Sequence, residues 1–207
     1  MLAETGVAFV LLAFLVCFFS VNLRNILKGR RGRLDLKEHP EGRRPSGLFI
    51  SLAMLGTLAY FVAVFAHLFL VFSGTILELY RFPYHFRSPP TVHMQIPGLV
   101  LTAAGYGIFI WSVIARGMYA VSWEMPEDQR LVTWGPYALV RHPSYLGYFL
   151  MFSGLFLLWP NFLTALSLVA IPAYYRLTFD EEELLVQHFG QEYVEYRKKA
   201  GRVIPGF

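Results

Sequence analysis

The residues best equipped for chemistry fall in two short runs in the last third of the chain. In the first, Leu131-Val132-Thr133-Trp134-Gly135-Pro136-Tyr137 leads into Arg141-His142-Pro143-Ser144-Tyr145. Pro143 suits the first turn of a helix, because its missing N–H would be unpaired there anyway. His142 therefore stands where a helix begins, next to orphan backbone donors that can hold a ligand oxygen. Tyr145 and Tyr148 follow at helical spacing. The second run is Arg176 followed by Asp180-Glu181-Glu182-Glu183. Four consecutive carboxylates repel one another, so they read either as a site for a cationic ligand or as a solvated first turn. The helix dipole favours the latter by about 0.3 to 1 kcal/mol each. The first run is equally two-sided, since Arg, His and Tyr at a membrane interface also serve simply to anchor a helix.

Weaker candidates lie elsewhere. His67 sits inside an apolar stretch, where an ionisable group is either functional or a neutral, hydrogen-bonded histidine. Gly105-Tyr106-Gly107 lacks the strand and phosphate context of a dinucleotide fingerprint and reads as close helix packing. The single cysteine, Cys17, excludes an internal disulfide and a thiolate metal cluster. No phosphate loop, Ser-His-Asp order or metal-spaced His/Cys set is present, so no metal is expected.

The elements that must hold these residues are set by composition. Of 207 residues, 56% are hydrophobic and only 15% are charged, with a mean hydropathy of +0.46. Soluble domains run at about 45 to 50% and about 25%, so the chain reads as an all-α polytopic integral membrane protein. The net charge of +4 comes without any nucleic-acid-binding pattern and is read as orientation in a bilayer. Because a charge in hydrocarbon costs about 2.5 to 3.5 kcal/mol, uncharged stretches locate the spans. These are Thr5 to Leu23, Ser46 to Leu77, Met94 to Ala115 and Pro143 to Tyr175. The last has 33 residues, interrupted by Trp159-Pro160-Asn161, and reads as a hairpin of two arms, each about 25 Å long at about 1.5 Å per residue. Five transmembrane helices follow.

Basic residues orient them. Eight lie between Arg24 and Arg44, and alternation leaves only Arg81 and Arg87 outside, so 16 of 18 share one side. That side is cytoplasmic. The N-terminus is then outside and the C-terminus inside. The first span is not read as a cleaved signal peptide, since Met1 to Gly6 has no basic start and no small-x-small site follows Phe19. Residues 1–116 form an N-terminal three-helix membrane region, and 117–207 a connector, hairpin and C-terminal helix. The connector Gly117 to His142 is polar and turn-rich, broken by Met125-Pro126-Glu127-Asp128. Asp180 to Gly201 reads as one cytoplasmic amphipathic helix, with Leu185, Phe189 and Tyr193 on one side, Glu195 and Lys199 paired, and Gly201 as C-cap. A hairpin brings its two open ends together, so His142 to Tyr145 and Arg176 to Glu182 are expected to be neighbours.

Taken together, Leu131 to Tyr137, Arg141 to Gly147, Glu181 to Leu185, Phe189 to Tyr196 and Ile204-Pro205 closely resemble the isoprenylcysteine carboxyl methyltransferases and their prokaryotic relatives. The likeness covers Gly117 to Phe207, whereas the N-terminal half agrees only in being hydrophobic. It implies an integral membrane enzyme that uses S-adenosylmethionine, releases S-adenosylhomocysteine and methylates a lipid-like or prenylated acceptor entering from the bilayer. By position, the cofactor would be held by Gln129, Arg130, Leu131 and Val132, by Tyr137, by His142, Pro143, Ser144 and Tyr145, and by a glutamate of the acidic run, Glu181 first and Glu182 beside it. An arginine near the end of the last span, here Arg176, would handle the acceptor. The chain departs from the family at Gln129, where relatives often carry histidine, and at Arg176, which lies five rather than four residues before Glu181.

Methyl transfer from a sulfonium is an in-line displacement, for which the enzyme mainly excludes water and aligns donor with acceptor. A carboxylate acceptor, which ordinarily titrates at about pH 4, is already ionised at neutral pH and needs no general base. Arginine suits it through a bidentate contact, and aromatic and glutamate faces suit a cationic donor. A phospholipid or amine N-methyltransferase, and a non-catalytic scaffold or lipid-binding protein, are the alternative readings.

Overall fold

The computed structural model describes residues 3–32, 47–75, 92–117 and 129–206, without the side chains of 28–32. The basic stretch 33–46, the loop 76–91 and the Met125-Pro126-Glu127-Asp128 turn lie outside the described residues. The described chain is all-helical: α1 Glu4–Gly32, α2 Gly47–Phe72, α3 Val92–Arg116, a 3-10 turn at Gly135–Ala138, α4 Pro143–Leu158, α5 Phe162–Ser167, α6 Ala170–Phe189 and α7 Gln191–Arg197. Four helical stretches are long and apolar enough to cross a membrane: Glu4–Leu27, Gly47–Phe72, Val92–Arg116 and Phe162–Phe189. α4 is apolar but has only 16 residues.

Small residues set how closely the helices pack. In lipid there is no hydrophobic force between helices, so close backbone approach and van der Waals contact must hold them. α3 and α4 run antiparallel with glycines facing in register. A Cβ added at Gly105 would lie 2.7 Å from the carbonyl oxygen of Gly147, and one at Gly98 would lie 2.8 Å from that of Gly154. A Cβ at Gly107 would meet nothing within 4 Å, so of the two glycines in the Gly-Tyr-Gly triplet only Gly105 serves close helix approach. Gly56 does the same for α2, where a Cβ would come within 2.6 Å of that of Ala170. Aromatic rings fill the rest. Phe18, Tyr60, Tyr106, Phe109 and Phe152 are buried in one cluster, and the Tyr60 hydroxyl donates to that of Tyr106 at 3.0 Å.

The hairpin turn falls at Trp159-Pro160-Asn161. Asn161 caps α5, accepting from the backbone N–H of Leu163 at 2.9 Å and of Thr164 at 3.0 Å, while Thr164 Oγ1 accepts from the Asn161 N–H at 3.1 Å. Trp159 is fully buried, stacks on His67 and donates to Glu4 at 3.3 Å. His67 thus has a carboxylate 3.6 Å away, that of Glu4 at the start of α1.

The second arm is not one smooth helix. It tightens at Leu168 and Val169, whose N–H groups donate three residues back. Pro172 explains the break: it cannot donate to the Leu168 carbonyl and its ring crowds that oxygen, which accepts from Ile171 instead at 3.0 Å.

The expected helix from Asp180 to Gly201 is divided. α6 stops at Phe189 and α7 restarts at Gln191. Gly190 between them has φ +55°, a conformation that residues with a Cβ rarely adopt. α7 ends at Arg197 with Lys198 as C-cap, and Glu195 pairs with Lys198 at 2.6 Å rather than with Lys199. Leu185 and Tyr193 still share one cluster with Phe189, Tyr196 and Leu131. Gly201, instead of capping, turns back along the chain start of α4: Arg141 N–H donates to Gly201 O at 2.7 Å, His142 N–H to Arg202 O at 3.0 Å, and Gly201 N–H to Leu139 O at 3.1 Å.

Candidate active site

The start of α4, the second half of α6 and the segment after α7 converge around one buried carboxylate. Glu182 is 3% exposed. Arg202 grips it with both ends of its fork, Nε to Oε1 at 3.1 Å and Nη2 to Oε2 at 2.9 Å. Arg141 Nε donates to Oε1 at 2.8 Å, and Arg197 Nε stands 3.7 Å from Oε2. Arg141 also donates to the carbonyls of Ala200 and Arg197, the latter at 3.2 Å. Arg202 lies over the Phe179 ring at 3.7 Å. These contacts fasten residues 200–203 to α6.

His142 links this carboxylate to its neighbour. Its Nε2 is 3.3 Å from Glu182 Oε1 and its Nδ1 is 3.4 Å from Glu181 Oε2. Burial by itself would lower its pKa, but the hydrogen bonds and charges of Glu181 and Glu182 outweigh that and raise it above 6.5. The imidazolium form, a donor at both nitrogens, is thus favoured. Tyr145 donates its hydroxyl to Glu181 Oε1. From there a column of stacked rings enters the bundle: Tyr145 on Tyr174 with centroids 4.9 Å apart, Tyr174 on Tyr148 at 5.3 Å, and Tyr148 on Phe152 at 5.6 Å. Ser144 faces α3, its hydroxyl 2.8 Å from that of Ser112. Pro143 is buried as the first residue of α4.

Beside Arg141 opens a cleft lined by Arg116, Gln129, Arg130, Leu131, Val132, Tyr137, Arg141, Leu185, Phe189, Tyr193 and Tyr196. Backbone constraints shape its floor. Gly135, at φ +62°, lets the Trp134-Gly135-Pro136 turn sit on the end of α3, where Trp134 Nε1 donates to Ala115 O at 3.1 Å. Asn25 of α1 closes the same helix end, donating to Val113 O at 3.0 Å and Gly117 O at 3.4 Å. Tyr196 reaches across to donate to Tyr137 O at 2.6 Å.

The expected residues therefore divide into two adjoining groups. Gln129, Arg130, Leu131, Val132 and Tyr137 line the cleft. His142, Tyr145, Glu181 and Glu182 form the hydrogen-bonded cluster behind Arg141. Arg176 joins neither. It is 47% exposed, pairs with Asp180 at 3.0 Å and lies over Phe49 and Phe179. Sequence reading passed over Arg116, Arg202, Tyr193 and Tyr196 as site residues. For Tyr193 and Tyr196 the recurring Phe-Gly-x-Glu-Tyr-x-x-Tyr motif was the available signal. For Arg116 and Arg202 no local signal existed.

The phospholipid methyltransferase family matches residues 93–192, which takes in α3, α4, α5 and α6. The chain is 44% identical over 81 residues to the protein-S-isoprenylcysteine O-methyltransferase of Schizosaccharomyces pombe, covering 38% of this chain and 34% of that protein. Over that stretch the chain is similar to an isoprenylcysteine methyltransferase. The enzyme of the same name from Tribolium castaneum is 36% identical over 135 residues, 62% of this chain and 48% of that one. The human enzyme is 30% identical over 117 residues, 54% and 41% respectively. The chain thus spans about a third to a half of the length of these relatives. Its four long apolar helical stretches fit an integral membrane protein.

Proposed function

We propose that this protein is a membrane methyltransferase that transfers the methyl group of S-adenosylmethionine to a carboxylate on a lipid-like or prenylated acceptor. The observation that carries the reading is a cleft whose wall residue Arg141 bonds Glu182, which His142 joins to Glu181 and so to Tyr145 at the foot of the aromatic column. The cleft suits the donor because two polar atoms on its wall are buried without a partner, Arg116 Nε and the Tyr193 hydroxyl, and each would recover a lost hydrogen bond from a polar ligand.

When bound, the donor supplies a methyl group on a sulfonium: the carbon–sulfur bond breaks with its electron pair left on sulfur, and a carboxylate oxygen bonds to carbon, leaving a thioether and an ester. The chain's own residues do the remaining work. Gln129 to Val132 and Tyr137 wall the donor cleft. Arg141 stands between the cleft and Glu182, and holds the two in register. Protonated His142 fixes Glu181 and Glu182 together, and Glu181 accepts the hydroxyl of Tyr145. No side chain is asked to remove a proton, since a carboxylate is ionised at neutral pH. Residues 117–207 carry this site and residues 1–116 form an N-terminal three-helix membrane region, with α3 supplying Arg116 at their boundary.

The topology belongs to the same proposal. α4 is counted as a fifth, short crossing, so that the N-terminus is outside and the site and C-terminal helix α7 are cytoplasmic, as the basic residues require. Such placement admits the water-soluble donor from the cytoplasm and the acceptor sideways from the bilayer.

Transfer of radiolabelled methyl from S-adenosylmethionine into prenylcysteine analogues, phospholipids and fatty acids, with the purified protein in lipid nanodiscs, tests the reading. Label in a base-labile ester of a prenylcysteine is the expected result. Label in a phospholipid amine would favour N-methylation, as the name of the matching family allows, and its rate would fall steeply at low pH. No label and no donor binding would refute the enzyme reading.

A further inference from the structure

The cations around the site are not equivalent. Arg141, Arg202 and Arg197 all converge on Glu182, and Arg176 is paired with Asp180 in solvent. Arg116 differs. It is the last residue of α3, it lines the cleft, and no ion pair to it is found among the described residues. Its Nε is buried and has no hydrogen-bond partner. Burying a charged donor unpaired costs about 1 to 3 kcal/mol or more, so such groups in native proteins usually await a ligand or water. The Trp134 indole and the Asn25 amide, which bond the last carbonyls of α3, hold the Arg116 backbone in place.

We propose that Arg116, rather than Arg176, is the arginine that binds a ligand carboxylate in this site. The inference rests on the methyltransferase reading and deepens it. Two carboxylates are available to it, that of the amino-acid part of the donor and that of the acceptor. Both would be held by the planar fork of the guanidinium, which lysine cannot reproduce.

Calorimetry on the full chain in detergent, with wild type, Arg116→Gln and Arg116→Lys, separates the cases. Four probes are used: S-adenosylhomocysteine; methylthioadenosine, which lacks the amino-acid part; N-acetyl-S-farnesylcysteine; and the carboxamide of N-acetyl-S-farnesylcysteine. If Arg116 holds the donor carboxylate, Arg116→Gln weakens S-adenosylhomocysteine by about 10- to 100-fold and leaves methylthioadenosine unchanged. If it holds the acceptor carboxylate, the same loss appears for the farnesylcysteine and not for its carboxamide. Arg116→Lys, which keeps the charge and so protects the fold, gives a smaller loss on the same probe. Equal affinities of all variants for every probe would overturn the proposal, and so would parallel loss of methylthioadenosine and carboxamide binding, which would mark a general disturbance. Wild-type protein that binds neither S-adenosylhomocysteine nor methylthioadenosine would instead overturn the methyltransferase reading itself.

Discussion

Replacing Glu182 tests the architecture of the site most directly. Glu182→Ala removes one carboxylate that serves Arg141, Arg202, Arg197 and His142 at once. Arg141 and Arg202 are 9% and 18% exposed, so water cannot take over the lost contacts fully. Breaking a buried pair from one side costs about 3 to 5 kcal/mol, because the remaining charge is left uncompensated. For a chain of this size each kcal/mol moves the melting temperature by about 2 to 4 °C, giving a fall of roughly 6 to 20 °C. Tryptophan fluorescence during heating in detergent reads it directly, since Trp159 is buried and Trp134 sits beside the cleft. Glu182→Gln keeps the shape and one acceptor oxygen and should lose less. Arg202→Ala added to Glu182→Ala should cost little further, because the fork has nothing left to grip. A Glu182→Ala protein that melts within about 2 °C of wild type, or strictly additive losses in the double variant, would refute the idea that this carboxylate fastens the C-terminal segment to the site.

Other outcomes follow from the same structure. His142 has a raised pKa in the folded protein, so its contribution to stability is complete below pH 6.5, its unfolded value, and is lost as pH rises through the higher folded value. Melting curves from pH 6 to 9 should therefore slope downward with pH, less so for His142→Asn, and equal slopes would count against the imidazolium. Gly105→Ala forces a Cβ to 2.7 Å from the Gly147 carbonyl oxygen and should cost about 1 to 3 kcal/mol in thermal stability, whereas Gly107→Ala, with nothing within 4 Å, should melt like wild type. For topology, cysteines placed at Thr75 and Lys198 in a Cys17→Ser background should react with an impermeant thiol reagent from outside only at 75. Labelling of 198 from outside would reverse the proposed orientation.

Much of the architecture is written locally. Uncharged length alone locates the long helices, because hydrocarbon penalises every charge. Asn161 and Pro160 mark the hairpin turn through capping and a missing N–H, and the spacing of Arg141-His142-Pro143 against Glu181-Glu182 already brings histidine and carboxylates together once the hairpin closes. The kink before α6 was also legible, in Pro172, but it is hidden within an apolar stretch that hydropathy reads as continuous. Gly190 was equally visible and equally easy to pass over, since the apolar pattern of Leu185, Phe189 and Tyr193 runs straight across it.

Which carboxylate and which arginine do what was decided only in three dimensions. Glu181 and Glu182 are neighbours in sequence but point about 100° apart on a helix, so one meets Tyr145 while the other is enclosed by three arginines. Arg202 reaches Glu182 only because residues 201 and 202 pair with 139 to 142, a contact no periodicity encodes. Arg116 and Arg176 look alike in sequence, each ending or following an apolar stretch. Their difference comes from what packs beside them: Asp180 one turn away pairs Arg176 in solvent, while Arg116 is turned into a cleft whose walls arrive from Gln129 to Tyr137 and from Leu185 to Tyr196. Ion pairing and burial depend on neighbours brought from distant parts of the chain, and those are fixed by tertiary packing rather than by any local run of residues.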